Sequence, residues 1–164
     1  MSVANNNIKR NVARKSVFPE AAALTDVTVS YNQGDVLVLK AGLIQKATAE
    51  ADSANSLGVA VVTVVTGKLK SPYQGTAVDA AQAPGSIPGP AYGVEAEFAL
   101  EVGDAFAPGD LVYLAVATDP QTITVTAGTS SPLGYYTGRV VASAVAGDKD
   151  TVHVGAQIDG QLQL

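Results

Sequence analysis

The sequence has no cysteine and no tryptophan, a single histidine (His153) and a single methionine. Without cysteine there is no disulfide framework. With one histidine there is no Cys/His zinc site. A nucleophilic triad needs a base, normally histidine. His153 sits in an alternating Val-His-Val segment and reads as a strand residue, solvent-facing or satisfied. No Gly-x-Ser-x-Gly elbow accompanies it, because residues 85–89 run Gly-Ser-Ile-Pro-Gly, the wrong order. Phosphate loops are missing as well. Gly67 and Lys68 lack the upstream glycine of a Walker loop, and Leu69 stands where Ser or Thr would bind magnesium. Long apolar runs are also lacking. The longest, residues 57–65, is far short of the roughly 20 residues that span a bilayer. The first ten residues are polar, without the apolar core of a signal peptide. The chain is therefore expected to be soluble, with no membrane partner.

Charge is scarce, at 15% of residues, and unevenly placed. Lys9, Arg10, Arg14 and Lys15 face only Glu20 in the first 25 residues, a net +3; the chain totals −5, which leaves −8 for the remainder. A basic arm on an acidic body is either a solvated terminus or a docking element. The acidic body repels nucleic-acid backbones, and no basic stripe follows residue 25, so no nucleic-acid partner is expected. The carboxylates offer little chemistry. Glu95 and Glu97 share one face of a strand rather than facing each other across a substrate, as glycoside hydrolysis requires. Asp148 and Asp150 are two acids in a turn, too few for a calcium loop. No catalytic residue, cofactor or metal is assigned, and the chain is not expected to be an enzyme.

What is present is β pattern. The 164 residues fit one domain. Residues 1–26 read as an arm, with an apolar pair at Val17 and Phe18. Residues 27–164 read as a β-rich domain. Val27, Val29 and Tyr31 alternate with Thr28 and Ser30. Residues 36–40 and 43–47, joined by Ala41 and Gly42, predict a tight hairpin. Residues 49–56 predict a loop or a single helical turn. Residues 57–65, rich in β-branched side chains, predict one strand buried on both faces. Residues 68–93 hold Pro72, Pro84, Pro88 and Pro90 and several glycines, which disfavours sheet pairing and predicts an excursion between core strands. From Tyr92, the residues Val94, Ala96, Phe98 and Leu100 alternate with Glu95, Glu97 and, less strictly, Glu101. Further strands are predicted at 111–116, around Ile123 and Val125, and across 133–145 as a long strand or a bent pair with bulge sites at Gly134 and Gly138. The last is predicted around Val152, Val154 and Ala156. Eight or nine short strands with turn signals every 8–12 residues predict a sandwich or small barrel. Gly-Asp recurs at 34–35, 103–104, 109–110 and 147–148, a repeated turn chemistry. Leu-Gly opens two strands, at 57–58 and 133–134.

The order of these pieces resembles a family. Gly34-Asp35-Val36, Leu57-Gly58-Val59-Ala60, Gly109-Asp110-Leu111-Val112-Tyr113, Leu133-Gly134-Tyr135, and Gly147-Asp148 with Val152-His153-Val154 follow one another as in the small head-decoration, or capsid-cement, proteins of tailed bacteriophages. The likeness spans residues 27–158. The excursion at 68–93 and the basic arm depart from the short family pattern. The resemblance implies an all-β fold, a small barrel or β-tulip-like sandwich with an extended N-terminal arm. It also implies homotrimers on the exterior of the virion capsid, with the major capsid protein as partner and a role in stabilising the expanded shell. The arm residues Lys9, Arg10, Arg14, Lys15, Val17 and Phe18 are expected to dock on the shell or a neighbouring subunit. Three other readings compete. A tail, collar, fibre or other virion module differs in copy number per particle. A carbohydrate-binding β-sandwich would bind glycans. A trimeric dUTPase-like enzyme would hydrolyse nucleotides, although no matching active-site segment is present. Fold alone does not choose among them.

Overall fold

The computed structural model describes residues 30–41, 43–65, 68–69, 90–116, 121–128, 130–158 and 161–164. Among them the chain is all-β. It forms β1 (Val36–Lys40), β2 (Leu43–Lys46), a 3-10 helix (Glu50–Asn55), β3 (Ser56–Val59), β4 (Val64–Val65), β5 (Lys68–Leu69), β6 (Val94–Leu100) and β7 (Leu111–Val116). There follow β8 (Thr122–Thr124), β9 (Pro132–Tyr136), β10 (Lys149–Val154), β11 (Ala156–Ile158) and β12 (Gln161–Gln163). The arm, with Lys9, Arg10, Arg14, Lys15, Val17 and Phe18, lies outside the described residues, as does most of the excursion.

Five strands close a barrel in the order β10-β6-β8-β7-β9. The long wall is β6 against β10, antiparallel from Val94↔Val154 to Ala99↔Lys149. The single parallel contact of the barrel joins β6 to β8 through Ala99↔Thr122 and Leu100↔Ile123. The period-2 pattern sets which side chains face in. Phe98 and Leu100 enter the core while Glu95 and Glu97 stay in solvent. From the other walls Val112, Leu114, Ile123, Leu133 and Val152 close the interior, each almost wholly buried.

The hairpin of β1 and β2 joins β3 in a second sheet, with β1 at its centre. As expected, its turn is two residues long, since Lys40 opposes Leu43. Both faces of β1 are covered. Val36 and Val38 belong to the barrel core, whereas Leu37 packs with Ile44, Leu57 and Val64 in a second cluster. A strand covered on both faces has no polar alternation to show, which is why Val-Leu-Val-Leu forms β1. Gln121 ties the two sheets together. Its buried amide accepts from the Val36 N–H at 2.7 Å and donates to the Ala47 carbonyl at 3.2 Å.

The four Gly-Asp steps are one device used four times. Gly34, Gly103, Gly109 and Gly147 have φ of 90°, 93°, 99° and 93°. In each case the following Asp N–H donates to the carbonyl three residues back, at Asn32, Glu101, Ala107 and Val145. Positive φ at the third position is the type II turn, where glycine avoids the Cβ penalty. In three turns the Asp carboxylate accepts the N–H of the first residue, at Asn32, Ala107 and Val145. Asp104 instead reaches across to the Thr124 hydroxyl. The two Leu-Gly steps also share a role. A Cβ on Gly58 would lie 2.2 Å from the Ala91 carbonyl oxygen, and one on Gly134 would lie 2.0 Å from that of His153. Each glycine lets a neighbouring strand approach where no side chain fits.

Two predicted strands are broken. Residues 57–65 do not run straight: β3 ends at Val59, Val61 and Val62 form a bend and are only partly covered, and pairing resumes at Val64 with Tyr31. The partner segment contains the turn at 32–35, and Ala60 is held there by hydrogen bonds with both Gly34 and Asp35. The strand has to fold around that turn. Residues 133–145 form a strand only to Tyr136. Beyond it, Asp150 takes the Arg139 N–H and fills the space where a Cβ of Gly138 would stand. The bulge expected at Gly134 is present beside it in β9, where the register steps from Val112↔Gly134 to Tyr113↔Pro132 and passes over Leu133. The excursion begins with a pairing that the sequence reading did not expect, β5 against β4.

Replacing Gln121 with Leu leaves the Val36 N–H and the Ala47 carbonyl buried without their partner. We predict a loss of about 2–4 kcal/mol in urea unfolding, on a cost of about 1–3 kcal/mol per stranded group. A change below about 0.5 kcal/mol, the range of neutral surface substitutions, would remove Gln121 as the tie between the sheets.

Candidate functional site

The sequence singled out several polar residues for chemistry, and the fold scatters them. Glu95 and Glu97 are exposed on the outer face of β6, opposite His153 and Thr151 of β10. Glu97 lines one open pocket together with Asp35, Gln121 and Lys149, and the Asp35 carboxylate is taken by the Asn32 N–H and by Lys46. His153 lies on that wall between Glu95 and Tyr135. Among the described residues no group of three or more His, Cys, Asp or Glu side chains gathers as a metal set. Asp148 serves its turn, accepting the Val145 N–H. Asp150 serves another purpose, given below.

The feature that sequence reasoning missed is the end of the barrel. Two connections, 101–110 between β6 and β7 and 137–148 between β9 and β10, run antiparallel and close it. Leu100 donates to the Asp148 carbonyl, and Gly103 and Asp104 exchange hydrogen bonds with Ala144. Phe106 and Val141 then exchange two more, and Gly109 and Asp110 clasp Tyr136. Irregular segments thus satisfy their backbone almost as a ladder does. Inward, Phe106, Tyr136 and Ala144 plug the barrel, each at most 1% exposed. The Phe106 and Tyr136 rings lie 5.2 Å apart at 36°.

Asp150 holds this cap to β10. Its Oδ2 lies 2.8 Å from the Tyr136 hydroxyl and 3.1 Å from the Arg139 N–H. Tyr136 also lies 2.7 Å from the Arg139 carbonyl, so one hydroxyl proton is shared between two acceptors. Burial alone raises a carboxyl pKa, yet the hydrogen bonds from Thr151, Tyr136 and Arg139 outweigh it and hold Asp150 below the usual carboxylate range. Burial and the neighbouring Asp150 charge push the Tyr136 hydroxyl upward, so it stays a neutral donor. Asp52 forms a second such knot under the 3-10 helix. Despite burial, Lys40 at 2.7 Å and the N–H groups of Thr48 and Ala49 hold it low.

Outward, the cap is apolar. Val102, Val140 and Val145 are 62%, 74% and 60% exposed, and Ala105, Ala107, Ala142 and Ala146 are exposed around them. Leu111 and Tyr135, also exposed, pair with each other where the cap joins the barrel wall. Five of the seven large hydrophobic side chains exposed among the described residues thus lie along the two segments 102–111 and 135–145. The Asp104, Asp110 and Asp148 carboxylates accept from nearby backbone and hydroxyl donors, and the Arg139 guanidinium, 71% exposed, lies 3.8 Å from Asp150. Single exposed valines are ordinary; an apolar face held in one shape marks an interaction surface. A signal was present in the sequence: Val102 and Val145 occupy outer positions of Gly-Asp turns, where a solvent-facing corner is normally polar.

No protein-family model matches the chain, and no curated protein sequence is significantly similar to it.

Folded-state pKa values below the unfolded value mean that Asp150 and Asp52 stabilise the fold fully above the unfolded carboxyl pKa, about 3.9. That contribution is lost as pH falls through their lower folded values. Asp150→Ala should cost about 2 kcal/mol at neutral pH, from the stranded Tyr136 hydroxyl and the lost charge-assisted bonds. It should also flatten the acid limb, so that wild type and variant draw together as pH falls through the lowered folded-state value of Asp150. Urea unfolding across that range checks both. A variant with the wild-type acid limb would show that Asp150 does not carry it.

Proposed function

We propose that this chain is a non-enzymatic structural protein of a virion, a decoration protein that binds the outside of an expanded phage head and stabilises it. The observation that carries the reading is the capped barrel end, where exposed valines and alanines sit on two connections held by paired backbone. The ordered series of Gly-Asp and Leu-Gly segments, in which the resemblance consists, supports it from the sequence side. So does the split between the first 25 residues, at +3, and the remainder, at −8.

The physical logic is linkage. A protein that binds the assembled shell and not its separated subunits stabilises the shell by mass action. Many copies joining neighbouring capsomers add avidity to modest individual contacts. Such a protein needs a surface that is folded before it docks, because ordering on contact would consume part of the affinity. A cap held by paired backbone and the Asp150 bonds meets that need. The arm, with Lys9, Arg10, Arg14 and Lys15 followed by Val17 and Phe18, serves in this reading as a second contact to the shell or to a neighbouring subunit.

Quantitative mass spectrometry of purified particles tests the role. Copies on the order of hundreds per particle, as a repeating lattice site requires, support decoration. A handful of copies would move the chain to the tail, and none would remove it from the virion. Deleting residues 2–18 should weaken co-sedimentation with undecorated heads at least about tenfold, a change of about 1.4 kcal/mol, while leaving the unfolding midpoint unchanged. Unaltered binding would show that the arm does not dock.

A further inference from the structure

We infer that the open edge of β6 is the seat of this chain's own basic arm, residues 9–15, which adds there as a further strand in the free protein. The inference concerns the free chain and does not rest on the virion reading. Three observations lead to it. The first is the edge. Leu100 gives its N–H to Asp148, on the β10 side, and Glu101 gives its own to Ile123 of β8. Successive residues of a strand turn their backbone groups to opposite sides, so Glu95 and Glu97 turn theirs away from β10. On that side β8 meets β6 only at Ala99 and Leu100, and no other strand borders β6 among the described residues. The N–H and C=O groups of Glu95 and Glu97 therefore form an unpaired edge, to which an extended segment can add. An open pocket of about 170 Å³ continues it, lined by Glu97, Gln121, Lys149 and the turn residues Gln33 and Gly34.

The second is charge. Among the described residues every aspartate carboxylate is taken by a donor or a cation, and Thr122 takes that of Glu101. Glu50, Glu95 and Glu97 have no such partner, and only the last two stand together. Lys149 is the cation of the pocket, opposite Ala99 and two positions beyond Glu97. The third is the tether, which selects the occupant. Two long stretches lie outside the described residues, 1–29 and 70–89. Residues 70–89 carry Lys70 and Asp79, which cancel, and Pro72, Pro84 and Pro88, which cannot donate to a ladder. Residues 9–15 carry Lys9, Arg10, Arg14 and Lys15, with no acid and no proline. Ser30, the first described residue, stands three positions before Gln33 of the pocket. The 15 residues from Lys15 to Ser30 span up to about 50 Å, ample for a body of about 14 Å radius of gyration. Exposed ion pairs and added edge bonds are individually weak, so a Kd on the order of 1 mM is expected. A tethered segment at about 1 mM effective concentration half-fills such a seat, whereas a segment of another molecule at about 1 μM fills about 0.1% of it. A half-filled seat keeps the arm at the body and lets a tighter contact draw it off.

Residue-resolved amide exchange and amide chemical shifts of the purified full chain test this without particles, so it and the virion reading can fail separately. The Glu95 and Glu97 amides should exchange about twofold more slowly, and at shifted resonances, in the full chain than in a chain lacking residues 2–18. A twofold change is about 0.4 kcal/mol, too small to move the unfolding midpoint beyond the scatter of surface substitutions. The Ala96 and Phe98 amides, turned to β10, should be the same in both chains, which separates a covered edge from a change in overall stability. R10E/R14E, which reverses two arm charges, should behave as the deletion does. The slowing should be equal at about 50 μM and about 500 μM protein, both below the effective concentration of the tether. Identical rates and shifts at Glu95 and Glu97 with and without the arm would overturn the inference. So would R10E/R14E behaving as wild type, or a slowing that grows with protein concentration, which would seat the arm on another copy.

Discussion

The exposed end of this barrel depends on one carboxylate. Asp150 sits at the start of β10 and accepts from a tyrosine that is itself wholly buried and from the backbone of the segment that crosses the barrel mouth. Without it, Tyr136 loses its charged partner, and the 137–148 connection keeps its pairing with 101–110, the bonds of Thr137 to Thr151 and that of the Tyr136 hydroxyl to the Arg139 carbonyl. Burial works against the ionised carboxyl, yet three donors hold it ionised. The same arrangement fixes the glycine at 138, since no Cβ fits beside the carboxylate. One side chain therefore decides where β9 ends, how the cap crosses and which valines remain outside.

A second constraint organises the rest. A chain of short strands has many turns, and each leaves backbone groups to be satisfied. The four Gly-Asp turns answer this in the same way, and three of them are also clasped from outside, by Ala60, Ala144 and Tyr136. Turns that are doubly bonded behave as parts of the sheet. This is how two connections without regular strands close a barrel end and keep an apolar face in a fixed shape. The proposed role in a shell draws on that fixed shape.

Much of this was legible in the residues. The hairpin of β1 and β2, the alternation of β6 and the four Gly-Asp turns follow from local chemistry, which is the same in a peptide as in the fold. What could not be read locally was decided by distant partners. Residues 57–65 look like one strand because every side chain suits a strand; the turn at 32–35 bends them. Residues 137–145 look like a continuation of β9 because Val140, Val141 and Val145 suit a core; Asp150 and Phe106 draw them across the barrel instead. Composition does not distinguish Val141, packed against the core, from Val140, mostly exposed. The candidate surface was hidden for that reason, whereas the arm's charge asymmetry was plain and its docking stays a proposal.

The measurement that tests the account most directly is hydrogen–deuterium exchange of the free, dilute protein, resolved by residue over the cap. If the two connections are a built surface, the amides of Phe106, Tyr136, Val141 and Ala144 exchange as slowly as those of Phe98 and Val152 in the barrel walls. If those four amides exchange at the rate of an open loop, the cap has no fixed shape before contact, and the docking surface argued from it does not exist.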